Sequence, residues 1–207
     1  MLRIGVLASG GGTDLQSILD ACESGQIDGR VVVVISNNRD AYALERAREF
    51  DAKAVFMDHR HKTREQHEAE ISRVLEHFDV DLVVLAGYLR MFTKYFTDKY
   101  KNKIINIHPA LLPKYGGKGM HGLKVHKAVL DSDDRESGCS VHFVTEEVDG
   151  GPVIARMKVP VKPDDTVQSL QERVLVAEHL LLPMVVQWFA QGKVYAEGWK
   201  PVDMPMA

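Results

Sequence analysis

The chain has 207 residues with 26 basic and 29 acidic side chains, for a formal charge of −3. That balance gives no electrostatic footprint for nucleic acid or for an anionic membrane. Two cysteines, Cys22 and Cys139, lie far apart without metal-ligand spacing. They read as small buried hydrophobes of a reducing cytoplasm, with neither a disulfide nor a metal site expected.

The N-terminal run MLRIGVLASGGG is too short for a signal-peptide core and passes straight into glycines, so it reads as a first strand. Further valine- and isoleucine-rich runs follow at Val31 to Ile35, Ala54 to Met57, Leu82 to Ala86 and Ile104 to Ile107. Such runs suit strands buried on both faces. Between them, Leu15, Ile18, Leu19 and Cys22 recur at helical spacing, as do Ile71, Val74, Leu75 and Phe78. Thr13 with Gln16 and Thr63 with Gln66 both fit a capping box at the start of such helices. Strand and helix therefore alternate through Pro109. The expected fold is α/β, a mostly parallel doubly wound sheet with its binding site at the carboxyl ends of the strands.

After Pro109 the texture changes to a glycine-rich loop over Gly116 to Gly122 and a short helix near Val125 to Leu130. Strand-like SVHFVT and VIARMKVPV then flank a DGGP turn, which predicts an antiparallel C-terminal addition. A long helix is expected from about Thr166, with Val167, Leu170, Val174, Ala177, Leu181, Met184 and Trp188 on one face and a bend at Pro183. No uninterrupted apolar run approaches the roughly 18 residues of a membrane span, because LLLPMVVQWF is broken by Pro183 and Gln187. With no linker in view, residues 1–207 read as a single domain, with a phosphate-binding half over 1–109 and a smaller part over 110–207. The tail from Tyr195 to Ala207 is left unassigned.

Gly10, Gly11 and Gly12 lie between a strand and a helix, where the free amides of Gly12, Thr13 and Asp14 can meet a phosphate. Leu15 takes the third glycine position of a dinucleotide fingerprint and no Gly-Lys-Ser/Thr follows, so the loop is either a monophosphate site or a tight turn. In NIHP, Asn106 and His108 point to one face of a strand that should otherwise be apolar. Asp149, in EEVDGGPV, is a carboxylate that a tight turn could bring to them, and His142 in SVHFVT is the rival histidine, read as a supporting hydrogen bond. His59, His61 and His67 fall in the charged run HRHKTREQHE and read as solvated.

Taken together, GGGTDLQS, LAGYLRMF, NIHPALLPKYGG, SVHFVTEEVDGGPVI and RVLVAEH closely resemble the glycinamide ribonucleotide formyltransferase family of purine biosynthesis, from about Leu2 to about Trp188. The resemblance implies a formyltransferase-type, Rossmann-like fold and an Asn106, His108 and Asp149 catalytic trio. It also implies transfer of a formyl group from 10-formyltetrahydrofolate, as co-substrate, to glycinamide ribonucleotide. Gly12, Thr13 and Asp14 would hold the phosphate, and Leu175, Val176, Ala177 and Glu178 would lie against the ribose and glycinamide. Arg64, Leu89, Arg90, Met91, Phe92 and the loop Thr145, Glu146, Glu147, Val148 and Asp149 would border the reduced folate together with Asn106. Metal, nucleic acid and membrane are not expected, and the chain would act in the cytoplasm as a monomer or homodimer. Asp149 would keep His108 protonated. Asp14 departs from the asparagine common in the family, and a carboxylate beside a phosphate is repulsive unless it turns away.

Overall fold

A computed structural model describes residues 1–194 and 198–206. Eight strands form one sheet in the order β3-β2-β1-β4-β5-β6-β7-β8. The first half alternates strand and helix: β1 (Leu2–Leu7), α1 (Thr13–Glu23), β2 (Gly29–Ser36), α2 (Ala43–Glu49), β3 (Lys53–Phe56), α3 (Arg64–His77), β4 (Leu82–Leu85), α4 (Lys94–Lys99) and β5 (Ile104–His108). These five strands pair in parallel. Then come α5 (Leu123–Leu130), β6 (Glu136–Phe143), β7 (Val153–Pro160), α6 (Val167–Ala190) and β8 (Val202–Pro205). β6 runs antiparallel to β5 and to β7, as the change of texture after Pro109 predicts. β8 comes from the unassigned tail and pairs in parallel with β7, so the antiparallel pair is internal to the sheet. Tyr195, Ala196, Glu197 and Ala207 of that tail lie outside the described residues.

Alternation along each strand sends apolar side chains to two cores. Ile4, Val6, Val34, Val84 and Ile105 pack with Leu15 and Ile18 of α1 and with Leu170, Val174 and Leu181 of α6. Leu7, Val33, Ile35, Val83 and Ile104 pack on the other face with Ile71 and Leu75 of α3 and Phe96 of α4. Residues buried on both faces explain why the parallel strands read as continuous apolar runs.

Several helix expectations need correction. Thr63 and Gln66 form the capping box, with Thr63 Oγ1 accepting from the Gln66 amide and Gln66 Oε1 accepting from the Thr63 amide. Thr13 does not cap: Gly12 is the N-cap of α1, at φ 71°, and the left-handed turn delivers Thr13 directly into the helix. A Cβ at Gly12 would also lie 2.8 Å from the Ala43 Cβ, so only glycine lets α1 and α2 approach here. Gln16 instead binds Arg46 and Asp20. On α6, Met184 is exposed, and the buried face turns through Glu178, Leu182, Val185 and Val186. The helix continues through Pro183. At 24 residues α6 is long and apolar enough to cross a membrane, which the broken-run argument misses, but its apolar face is part of the core under β6 and β7.

Candidate active site

The strand order reverses between β1 and β4, and the chain leaves their carboxyl ends in opposite directions. This is where open α/β sheets keep a crevice. The two exits are tied together: the Ser9 amide donates to the Gly87 carbonyl at 3.1 Å, and Ser9 Oγ accepts from the Leu89 amide at 3.0 Å. β5 ends beside them with Asn106 half-buried and His108 buried, both on one face. Antiparallel pairing then sets Asn106 opposite His142 and His108 opposite Ser140.

Asp149 arrives from the β6–β7 connection, held at φ 54°. Gly151 in the same connection leaves no room for a side chain, since a Cβ would fall 1.8 Å from the Phe143 carbonyl oxygen. Asp149 Oδ2 lies 3.5 Å from His108 Nδ1 and accepts from the Gly117 amide at 2.9 Å. Its Oδ1 lies 3.5 Å from His142 Nε2. His108 Nε2 is 2.8 Å from the Tyr115 carbonyl, which can only accept, so this nitrogen carries a proton. His142 Nδ1 likewise donates to the Phe143 carbonyl at 2.8 Å. Its Nε2, at 3.1 Å from Asn106 Nδ2, then accepts from the amide, which keeps a second N–H for another partner.

Burial would raise Asp149, but the neighbouring His142 ring, the His108 charge and the Gly117 amide outweigh it and hold the carboxyl below its ordinary value. For His108 the balance falls the other way. Burial lowers it below its ordinary value, against the Asp149 charge and the bond to Tyr115. The expectation that Asp149 keeps His108 protonated is therefore corrected for the free protein: Asp149 lifts an imidazole that desolvation has lowered further.

These groups open onto a cavity of about 560 Å³. Leu89, Arg90, Met91 and Phe92 line it, and so do Thr145 to Asp149. Phe92 is also a core residue, stacked on Phe96 with ring centroids 4.3 Å apart. Asp14 and Glu178 line the same cavity. The remaining expected residues are placed elsewhere. Arg64 is exposed at the start of α3, Val176 is 49% exposed and Ala177 is buried in the core. Gly12 and Leu175 are half-buried outside the cavity lining, and Thr13 lines an outer groove with His179. One turn of helix cannot aim four consecutive side chains at one site, so of Leu175 to Glu178 only Glu178 reaches the cavity.

Sequence reasoning missed the Tyr115 carbonyl, because a backbone acceptor leaves no residue-type signal. It also left Lys118 and His121 unassigned, and both line the cavity mouth. Beneath the Leu89 to Phe92 segment, His67 of the supposedly solvated run is buried and its Nε2 meets the Tyr88 hydroxyl at 3.0 Å. The amphipathic spacing of α3 could have flagged it, since His67 lies one turn before Ile71.

Two carboxyls that line the cavity carry unusual charge. Burial pushes the Asp14 carboxyl up to about 6, and Glu178 is raised well above its ordinary value by burial and by the Asp14 charge. Asp14 Oδ1 has no hydrogen-bond partner among the described residues. For a reduced folate the donor set is suitable. Leu85, Met91 and Val144 offer an apolar wall for a ring, and the exposed Thr145 to Glu147 backbone and the Asn106 amide offer polar groups at its edge. Among the described residues no group of three or more His, Cys, Asp or Glu side chains is arranged to hold a metal.

A family model described as formyl transferase matches residues 2–186. Phosphoribosylglycinamide formyltransferase of Haemophilus influenzae is 42% identical over 195 residues, covering 94% of this chain and 90% of that protein. The Escherichia coli protein of the same name is 42% identical over 194 residues, covering 93% and 89%. Among solved structures, glycinamide ribonucleotide transformylase 1 from Symbiobacterium toebii superposes with a TM-score of 0.90 at 43% identity, covering 100% of this chain and 95% of that one. The chain belongs to the formyl transferase family.

Proposed function

We propose that the protein transfers the formyl group of 10-formyltetrahydrofolate to the primary amine of glycinamide ribonucleotide, giving formylglycinamide ribonucleotide and tetrahydrofolate. Formyl transfer in purine biosynthesis follows from the family and from relatives named for it. The observation that carries the finer reading is the convergence of Asn106, His108 and Asp149 on a cavity that Asp14 and Glu178 also line. The Asn106, His108 and Asp149 groups can take a reacting carbonyl, and the α1 N-terminus, reaching the cavity at Asp14, supplies free amides at Gly12, Thr13 and Asp14 for a ribose phosphate.

In this reading Leu89 to Phe92 and Thr145 to Asp149 hold the reduced folate, which supplies a formyl carbon activated on nitrogen. Asn106 donates its free N–H to the formyl oxygen as that oxygen gains negative charge during attack by the amine. His108 provides the second stabilising group and delivers a proton toward the leaving nitrogen. Asp149 positions His108 and raises its proton affinity as water leaves the site, and His142 orients the Asn106 amide. Glu178 faces the ribose. We place the protein in the cytoplasm, acting on small molecules as a monomer or homodimer.

The test measures formyl-folate consumption with glycinamide ribonucleotide, with aminoacyl-tRNA and with neither. Consumption that requires the ribonucleotide is expected. Consumption with water alone would make the protein a hydrolase, and consumption only with aminoacyl-tRNA would replace the acceptor.

A further inference from the structure

Asp14 projects from the first turn of α1 and Glu178 from the middle of α6, and these two helices pack against each other. Both side chains are largely removed from water, at 16% and 7% exposure, and both face the same cavity. Among the described residues neither forms a hydrogen bond to a cation. The one basic group within 4 Å of Asp14 is His179, whose Nε2 is 3.8 Å from Oδ1 and is itself without a hydrogen-bond partner. Burial and Arg46 lower His179, which disfavours its cationic form. Arg46, on α2, is committed elsewhere: it donates to the Gly11 carbonyl at 2.8 Å and to Gln16 Oε1 at 2.6 Å, and lies over the Tyr42 ring. Asp20 of α1 is bound by Gln16. From β6, the buried Cys139 thiol is raised by burial and by the charges of Glu178 and Asp14, which face it. His108 lines the same cavity from β5.

Two carboxylates in this setting cannot both remain charged at low cost, and a phosphate brought to the α1 N-terminus adds up to two further negative charges. A protonated carboxyl offers a donor O–H where a carboxylate repels. We propose that Asp14 and Glu178 are an acid pair sharing protons at the ribonucleotide end of the cavity, and that the substrate phosphate binds together with one proton held between Asp14 and a phosphate oxygen. The proton comes from the buffer, and no other bond is made or broken. This rests on the reading of the Gly12 to Asp14 turn as the phosphate site. It accounts for an aspartate at a position where repulsion is otherwise expected.

The test is calorimetric titration of the full chain with glycinamide ribonucleotide between pH 6 and 8.5, in buffers of different ionisation heat, for the wild type, Asp14→Asn and His179→Asn. Proton uptake by the wild type should exceed that of Asp14→Asn by about one per ligand near pH 7.5. The Asp14→Asn affinity should match the wild type within about twofold at pH 6 and exceed it by roughly tenfold or more at pH 8.5, since a one-proton linkage changes affinity about tenfold per pH unit. His179→Asn should retain the wild-type uptake. Should Asp14→Asn fail to fold, the wild type titrated with the phosphate-free glycinamide ribonucleoside supplies the reference, and uptake should fall by about one. Equal uptake with parallel affinity profiles in wild type and Asp14→Asn, equal uptake with ribonucleotide and ribonucleoside, or loss of the difference in His179→Asn would each overturn the acid pair. A wild type that binds no ribonucleotide at any pH would instead overturn the substrate reading itself, and the pair with it.

Discussion

His108 meets Asp149 at one ring nitrogen, 3.5 Å away, while its other nitrogen is fixed on the Tyr115 carbonyl at 2.8 Å. Both neighbours are acceptors, so the geometry favours a doubly protonated ring even as burial opposes it. Removing the carboxylate leaves burial unopposed by that charge. In Asp149→Asn the His108 pKa should fall further, so the proton it supplies is lost at lower pH. The alkaline limb of the kcat profile should move down by about 1 to 3 pH units, with a roughly 10- to 1,000-fold drop in turnover on that limb. Steady-state kcat measured from pH 5.5 to 9 checks this; an unmoved alkaline limb rejects the pairing.

Asn106 and His142 face each other across the β5–β6 ladder at 3.1 Å. If the second amide proton of Asn106 serves the developing oxyanion, Asn106→Ala should cost about 2.7 to 4 kcal/mol, or roughly 100- to 1,000-fold in kcat, with KM little changed. His108→Ala should also act on kcat, and the double variant should lose less than the product of the two because the groups serve one charge. His142→Ala removes only an orienting bond of about 0.5 to 1.5 kcal/mol, so its kcat should fall roughly 2- to 12-fold. Single-turnover rates of the four variants test the order, and a His142 effect larger than the Asn106 effect contradicts it.

The alternation of NIHP was enough to bring Asn106 and His108 to one face, because side-chain direction in a strand follows from parity alone. Asp149 required tertiary information: the nine-residue connection between β6 and β7 can swing its turn in many ways, and the resemblance, not the local pattern, pointed to it. Helix α6 shows the opposite limit. Its periodicity exposed the apolar face correctly at Leu170, Val174, Ala177 and Leu181 but could not reveal that Glu178 is buried on the cavity that Asp14 also lines. A charged residue next to an apolar stripe reads as solvated unless another element covers it, and here α1 does. β8 escaped notice because Val202 to Pro205 holds a proline and an aspartate, both depleted in strands, and is a strand only because the β7 edge is there to pair with it.

His67 makes a prediction about stability. Burial, with the Arg90 charge next, lowers its pKa to about 4, from an ordinary value of 6.5. The folded state thus favours the neutral ring, and the unfolded chain binds its proton first. Stability from this group is fully present above pH 6.5 and is lost as pH falls toward about 4. His67→Gln can keep a hydrogen bond to Tyr88 without titrating. Its urea midpoint should therefore decline less than that of the wild type between pH 6.5 and 4, and parallel declines would show that His67 is not the group responsible.

Glu68 and Thr93 join α3 to the entrance of α4. Glu68 is 2% exposed; its Oε1 accepts from the Thr93 amide at 2.7 Å and its Oε2 from the Thr93 hydroxyl. Thr93 directly follows the Leu89 to Phe92 segment, so this carboxylate fixes one end of the cavity wall while the stack of Phe92 on Phe96 fixes its base. Glu68→Ala leaves a half-buried amide and hydroxyl unpaired, at a cost of about 1 kcal/mol. In a chain of this size each kcal/mol corresponds to roughly 2 to 4 °C in Tm. The loss should also reach binding: a wall released at Thr93 must be re-ordered by the folate, so KM for the folate should rise severalfold while KM for the ribonucleotide changes little. Glu68→Gln, which keeps one acceptor for the amide and can accept or donate at the hydroxyl, should recover most of both. If Glu68→Ala lowers Tm but moves the two KM values equally, the carboxylate stabilises the fold without positioning the folate wall.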